Sequence, residues 1–209
     1  GSPNIDYLKS IDYVSKSELS KLLNFKLMNK NIIVTFHPVT LESEIDISGF
    51  NSLISALEML DNDIGIIFTL SNADNGGREI NKMIIDFVKK NKNSKSFEAL
   101  GQFLYYNCLN NFDCVVGNSS SGLYEVPSFS IPTINIGDRQ KGRVRASSVI
   151  DIPNDKMKIF NAINESLDSN LKKISNPYGD GNSSEKIEKI IGEFLAKGIN
   201  LQKHFFKNP

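Results

Sequence analysis

The alternation of two kinds of segment along the chain is the feature that most restricts its fold. Short and nearly continuous apolar runs alternate with longer segments whose apolar residues recur every three or four positions. The first pattern is typical of strands buried on both faces, and the second is typical of amphipathic helices. Strands that alternate with helices form a parallel sheet covered on both sides. The sequence therefore predicts one α/β domain, a doubly wound parallel sheet over residues 1–209.

Six strands and six helices are predicted from these patterns. The predicted strands are Asn31–His37, Ile64–Leu70, Phe97–Leu100, Asp113–Val116, Thr133–Ile136 and Val149–Ile152. The predicted helices are Ser17–Met28, Phe50–Leu60, Arg78–Asn91, Gln102–Asn110, Lys156–Ile174 and Ser184–Lys197. In doubly wound sheets, ligands bind beyond the carboxyl ends of the strands. The loops that directly follow the strands are therefore the candidate functional segments.

Composition excludes several classes of function. The formal net charge is zero, so bulk attraction to nucleic acid or to an anionic membrane is not expected. No apolar run is long enough to cross a bilayer. The two cysteines, Cys108 and Cys114, lack metal-ligand spacing and lie in or beside apolar runs, which predicts buried free thiols and a cytoplasmic location. No His, Cys or Asp cluster has the spacing of a metal site.

Three serines follow the fourth predicted strand directly. Ser119, Ser120 and Ser121 lie between Gly117 and Gly122, at the start of a predicted short helix. Backbone N–H groups at a helix start, together with serine hydroxyls, form a site for a phosphate or diphosphate. The alternative is that Ser120 or Ser121 only caps the helix. The motif is neither a Walker loop nor GxGxxG, so those nucleotide-binding patterns give no support.

Four more polar residues are candidates because they follow the strands or lie near the serines. Glu125, expected in the first turns of the short helix, could accept the two hydroxyls of a ribose or only favour the helix dipole. Arg139 could bind phosphate oxygens or remain a solvated loop charge. His37 could contact the ligand or serve as a structural hydrogen-bonding group, and Asn72 could hold a sugar or base or build a turn.

The longest of these motifs resembles a known family. The run VVGNSSSGLYEVPSFSIPTINIGDRQKGR, from Val115 to Arg143, resembles the carboxyl-terminal half of hydrolysing UDP-N-acetylglucosamine 2-epimerases of the sialic-acid-pathway type. Further matches are VTFHPVTLE at Val34–Glu42, FTLSNADNGGREI at Phe68–Ile80 and NPYGDGNSSEKI at Asn176–Ile187. The opening GSPNIDYL resembles the segment that joins the two halves of those enzymes.

The resemblance implies a fold and a binding site. It implies the GT-B architecture, in which two Rossmann-like domains flank the active site, and this chain would be the second domain with the first absent. By resemblance, Ser119, Ser120 and Arg139 hold the diphosphate of a UDP-sugar, Glu125 holds the ribose, and Asn72 faces the cleft. His37 is the candidate catalytic residue in this half. No cofactor is implied, and a homo-oligomer is expected for the full-length enzyme.

The implied reaction is conversion of UDP-N-acetylglucosamine into N-acetylmannosamine and UDP by elimination and addition of water. The segment Pro38–Glu42 lacks the Arg- and Glu-rich character of the non-hydrolysing epimerases, which favours the hydrolysing branch. The isolated domain is expected to be inactive, since most acid and base carboxylates of the family lie in the first domain. Three alternatives remain: an epimerase for a 2,4-diacetamido or GDP-linked sugar, a GT-B glycosyltransferase, and a non-enzymatic nucleotide-binding module.

Overall fold

A six-stranded parallel sheet forms the centre of the molecule. The computed structural model of the protein describes residues 1–39, 47–71 and 76–197. The strands are β1 (Lys30–Thr35), β2 (Ile64–Thr69), β3 (Ser94–Phe97), β4 (Cys114–Gly117), β5 (Thr133–Ile136) and β6 (Val149–Ile152). They lie in the order β3-β2-β1-β4-β5-β6, and every neighbouring pair is parallel. The predicted doubly wound sheet is therefore confirmed.

Helices cover both faces of this sheet. They are α1 (Pro3–Leu8), α2 (Lys16–Leu22), α3 (Ser48–Leu57), α4 (Gly77–Lys90), α5 (Gly101–Asn111), α6 (Ser121–Tyr124) and α7 (Lys156–Leu167). A further helix, α8 (Ser183–Lys197), contacts α1 and is exposed except at Ser183. A 3-10 turn at Val126–Phe129 follows α6. None of the helices in the described ranges is long and apolar enough to cross a membrane.

The core consists of two layers because successive strand residues face opposite sides. Ile32 packs in the layer formed with α3, α4 and α7, whereas the adjacent Ile33 packs in the layer formed with α1, α2 and α5. Both side chains are fully buried, and burial of such a side chain contributes about 1.5–3 kcal/mol. Cys108 and Cys114 are buried and free, as predicted, and burial raises the pKa of each thiol to about 12.

Two predicted helices are too long, and the reasons are local. The helix predicted to reach Met28 ends at Leu22, because Asn24 adopts a left-handed conformation with φ of +44°. The helix predicted to reach Ile174 ends at Leu167. There the Lys30 ammonium donates to the carbonyl of Leu167. Hydrogen bonds of this kind satisfy the last carbonyls of a helix and help to end it.

The third strand and the first helix also differ from the predictions. The third strand is Ser94–Phe97 and not Phe97–Leu100, since Gly101 already begins α5. This edge strand is mostly polar, so apolar continuity did not reveal it. Helix α1 (Pro3–Leu8) was not predicted, because six residues are too few to display a clear helical period.

The strand order fixes where a ligand crevice opens. From β1 the chain first adds β2 and β3 on one side, and then returns to add β4, β5 and β6 on the other. In sheets of this order the crevice lies between the two strands at which the direction reverses. The loops that follow β1 and β4 are therefore the first places to look for a site.

Candidate functional site

Gly117 at the end of β4 sets the path of the chain into the crevice. Its φ is +139°, a backbone region that favours glycine. A Cβ atom at this position would lie 1.9 Å from the carbonyl oxygen of Thr35 on the neighbouring strand β1. Gly117 therefore lets β1 and β4 approach closely while the chain turns toward Ser119.

The serine run presents hydrogen-bond donors at the carboxyl edge of the sheet. The backbone N–H groups of Ser119 and Ser120 donate to no acceptor within the described residues. Ser119 Oγ accepts from the N–H of Ser121 at 3.4 Å, whereas the Ser120 side chain makes no capping bond to α6. Because α6 has only four residues, its macrodipole is small. An anion at this position would therefore interact mainly with the local N–H and hydroxyl groups and little with the helix dipole.

Asn118 connects the serine run to the other two strand ends, and sequence reasoning missed it. Its side chain is 1% exposed. Its amide bonds both backbone groups of His37, at 2.8 and 2.7 Å. Its carbonyl accepts from Arg139 Nη1 at 3.1 Å and from Gln140 Nε2 at 2.7 Å. The position directly after a buried strand was the only signal in the sequence, and it did not specify these contacts.

His37 lies at the end of β1 and faces Ser71 at the end of β2. Its Nδ1 is 3.4 Å from Ser71 Oγ. The backbone of Ser71 is held in turn by Asn81 of α4, whose amide accepts from its N–H and donates to its carbonyl. The remaining predicted contact residue, Asn72, lies outside the described residues.

A pocket of about 310 Å³ opens beside the serine run. Its lining comprises Thr35, Thr69, Leu100, Gly101, Gln102, Tyr105, Tyr106, Ser119 and Ser121. The Tyr105 hydroxyl hydrogen-bonds Ser121 Oγ at 2.7 Å, and burial raises the pKa of this phenol, so it stays neutral. Tyr105 and Tyr106 were not predicted as site residues, because they lie inside an apolar helical segment that reads as core.

Glu125 lies behind this pocket and not in the first turn of the helix, which corrects the prediction. It directly follows α6 and is 5% exposed. Its Oε1 accepts from Asn4 of α1 at 2.9 Å, while Oε2 is buried without a hydrogen-bond partner in the described part of the chain. Burial raises the pKa of the carboxyl, and the hydrogen bond from Asn4 opposes that shift. The dipole interpretation of Glu125 is therefore wrong.

The predicted residues within the described ranges thus follow the ends of β1, β4 and β5. Asn118 links His37 and Arg139 directly, and it precedes Ser119 in the chain. The Glu125 carboxyl is connected to this group of residues through its neighbours Ser121 and Tyr105, and not through Arg139. Within the described residues, no group of three or more His, Cys, Asp or Glu side chains could hold a metal ion.

A larger cavity of about 1040 Å³ lies elsewhere. Its lining includes Lys9, Asn110, Phe129, Lys173 and Asn176. Asn110 lies in the last turn of α5, which leads into β4, and Phe129 shortly precedes β5, so this cavity lies toward the amino edge of the sheet. It shares no lining residue with the pocket beside the serine run. Position relative to the crevice, rather than size, therefore selects the smaller pocket as the candidate site.

Comparison with known proteins points to one family. The family model described as UDP-N-acetylglucosamine 2-epimerase matches residues 1–192. Polysialic acid biosynthesis protein P7 of Escherichia coli is 36% identical over 220 aligned residues, which cover 100% of this chain and 54% of that protein. The GDP/UDP-N,N'-diacetylbacillosamine 2-epimerase (hydrolyzing) of Campylobacter jejuni is 38% identical over 152 residues, covering 72% of this chain and 39% of that enzyme.

A solved structure has the same fold. The S. aureus MnaA–UDP co-structure matches with a TM-score of 0.70 at 20% identity, over 97% of this chain and 56% of that one. Identity at this level supports the fold alone. The chain spans about half the length of the relatives that it matches.

Proposed function

Because the chain belongs to the UDP-N-acetylglucosamine 2-epimerase family, we propose that it is the UDP-binding, carboxyl-terminal half of a hydrolysing 2-epimerase. The observation that carries this proposal is the arrangement around Asn118. Asn118 directly precedes Ser119 and Ser120, whose N–H groups have no acceptor within the described residues, and its carbonyl accepts from the Arg139 guanidinium, at the strand pair where the sheet order reverses.

The diphosphate is assigned to the serine run and Arg139. The two N–H groups, which have no acceptor within the described residues, can each donate to a phosphate oxygen, and hydrogen bonds to a charged group contribute about 1.5–3 kcal/mol. A guanidinium carries five N–H donors in a planar fork that fits phosphate oxygens. The bond from Arg139 Nη1 to the Asn118 carbonyl holds one arm of that fork beside the serine run.

The nucleoside is assigned to the pocket beside the serines. Tyr105 and Tyr106 supply aromatic surface for a base, and the pocket adjoins Ser119, where the diphosphate would begin. Glu125 is the proposed acceptor for the ribose diol. Its unpaired Oε2 supports this role, because a buried carboxylate oxygen without a donor is costly and a hydroxyl would satisfy it. Binding would require a small movement of α1, since Asn4 bonds the other oxygen.

The proposed reaction has two steps. Removal of the proton at C2 of the sugar gives a C1–C2 double bond while the C1–O bond to UDP breaks, and the electron pair leaves with UDP. Water then adds its hydroxyl to C1, and a proton returns to C2 on the opposite face, which gives the free 2-epimer. The part of this chain is to stabilise the departing UDP through fixed donors. His37, at the end of β1, is the proposed contact to the reacting sugar nucleotide on this side of the cleft.

Two features support the hydrolysing branch, and one widens the choice of sugar. The segment Pro38–Glu42 lacks the Arg- and Glu-rich character of the non-hydrolysing enzymes. A relative with 38% identity is named a hydrolyzing 2-epimerase of a diacetylated sugar linked to GDP or UDP. N-acetylglucosamine is the first candidate sugar, and a 2,4-diacetamido sugar is the second. The relative named for polysialic acid biosynthesis supports a role in making sialic-acid-type sugars.

Two experiments test the proposal. Calorimetry should show that UDP binds the 209-residue chain more tightly than uridine, because uridine lacks the diphosphate. A product assay on the chain joined to its missing first domain should release free N-acetylmannosamine and UDP from UDP-N-acetylglucosamine. Transfer of the sugar to an acceptor would instead support a glycosyltransferase. UDP binding without any turnover would support a binding module.

A further inference from the structure

Two asparagines hold the polar groups at the ends of β1 and β2. We infer that Asn118 and Asn81 are positioning residues, which fix His37 and Ser71 for the nucleotide site proposed above. This inference rests on that proposed function. Neither asparagine needs to contact the ligand, because each acts through the backbone of the residue that it holds.

The Asn118 side chain bonds to the N–H and the carbonyl of His37, as the backbone of a neighbouring strand would. The last ladder pair between β1 and β4 is Thr35 with Gly117, and the N–H of Asn118 still donates to the Thr35 carbonyl at 3.1 Å. Beyond that pair, the side-chain amide of Asn118 provides the hydrogen bonds. It accepts from the His37 N–H at 2.8 Å and donates to the His37 carbonyl at 2.7 Å. The side chain thus extends the pairing to a residue that the ladder cannot reach.

Asn81 repeats the arrangement one strand away. Its amide oxygen accepts from the Ser71 N–H at 2.7 Å, and its amide nitrogen donates to the Ser71 carbonyl at 3.2 Å. Asn81 belongs to α4, so the loop after β2 is fixed to a helix rather than to a strand. The two held residues meet, with His37 Nδ1 3.4 Å from Ser71 Oγ.

Asparagine suits this role because one planar group both accepts and donates. A buried backbone N–H and carbonyl each need a partner, and a single amide satisfies both without introducing charge. Asn118 has an additional effect, because its own carbonyl accepts from Arg139 and Gln140. Loss of its side chain would therefore remove both hydrogen bonds to the His37 backbone and also loosen the residue whose carbonyl accepts from Arg139.

A matched control exists at the opposite edge of the sheet. Asn31 is fully buried and holds Met28 by the same two bonds, both 2.9 Å long. We propose to compare Asn118→Ala, Asn81→Ala and Asn31→Ala by two measurements below their melting temperatures. One is the dissociation constant for UDP, and the other is the ring NMR signal of His37. The chain has two histidines, so that signal is simple to assign.

All three variants should melt at lower temperature, but only the first two should alter the site. Asn118→Ala should weaken UDP binding about tenfold or more, the ratio that one hydrogen bond to an anion can provide. Asn118→Ala and Asn81→Ala should both shift the His37 ring signals, and Asn31→Ala should change neither property. Unchanged ring signals in the first two variants, or the same loss of UDP affinity in Asn31→Ala, would overturn the inference.

The outcomes separate this inference from the proposed function. If the unaltered chain does not bind UDP, the proposed function fails, whereas the His37 ring signals without ligand still decide whether the asparagines position that residue. If UDP binds equally to Asn118→Ala and the unaltered chain, only the inference fails. Asn81 is half-buried, so Asn81→Ala decides the inference by the His37 signals even if Asn118→Ala does not fold.

Discussion

Substitution of Gly117 by alanine tests the geometry that brings β4 to the candidate site. The backbone of Gly117 has φ of +139°, and strain of this kind costs about 1–3 kcal/mol for a residue with a side chain. The new Cβ would also lie 1.9 Å from the Thr35 carbonyl oxygen and 2.7 Å from its carbon, both backbone atoms. Relief of such overpacking costs about 1–3 kcal/mol more. Gly117→Ala should therefore lower the free energy of unfolding by about 2–6 kcal/mol.

Gly101 provides the matched control for this substitution. It also has a positive φ, +66°, but a Cβ there would meet no atom within 4 Å. Gly101→Ala should cost only the left-handed conformation, about 1–2 kcal/mol. Urea unfolding monitored by circular dichroism gives the free energy of unfolding of both variants. In a thermal scan, each 1 kcal/mol of lost stability should lower the melting temperature by about 2–4 °C. Equal losses in the two variants would refute the close approach of Gly117 to β1.

Three further predictions concern charged side chains. Arg139→Ala should weaken UDP binding by about 1.5–3 kcal/mol in calorimetry, whereas Lys141→Ala, on the same loop, should have little effect; equal effects would remove Arg139 from the site. Hydrogen bonds from Ser184 and Ser183 lower the pKa of Asp6 from 3.8 to about 2. The stability that this carboxylate contributes should be complete above pH 3.8 and lost as the pH falls toward about 2. In acid titrations Asp6→Asn should lack that loss, and an identical acid profile would argue against the bonds to α8. Burial raises the pKa of Glu125 above 4.5, so its contribution to stability should be complete below pH 4.5 and decline above it. Glu125→Gln should therefore have a higher free energy of unfolding than the unaltered chain at neutral pH, and this difference should disappear in acid. A difference that does not change with pH would show that the pKa of Glu125 is not raised.

The sheet and the edge that carries the site could be predicted from sequence because their signals are local. Ile32, Ile33 and Val34 form a short run of β-branched residues, which is typical of a strand buried on both faces. Residues placed after such strands, including His37 and Ser119, then reach one edge as a consequence of parallel topology. The polar edge strand β3 lacked that signal, and its position was therefore predicted three residues too late.

The contacts within the site could not be predicted because they depend on tertiary packing. The role of Asn118 arises from bonds to residues 81 and 21–22 positions away in the chain. Tyr105 lies in a helix whose apolar pattern indicates only burial. Glu125 is buried partly because α1 places Asn4 beside it, across 121 residues of sequence. Periodicity describes how each segment packs, but it does not specify which side chains meet.

The most direct test of the proposed site is an NMR titration of the 15N-labelled chain with UDP. The account predicts that the largest amide shifts occur at Ser119, Ser120 and Tyr105, with further shifts near His37 and Arg139. Shifts confined to the cavity lined by Lys9 and Lys173 at the amino edge, or no shifts at millimolar UDP, would contradict it.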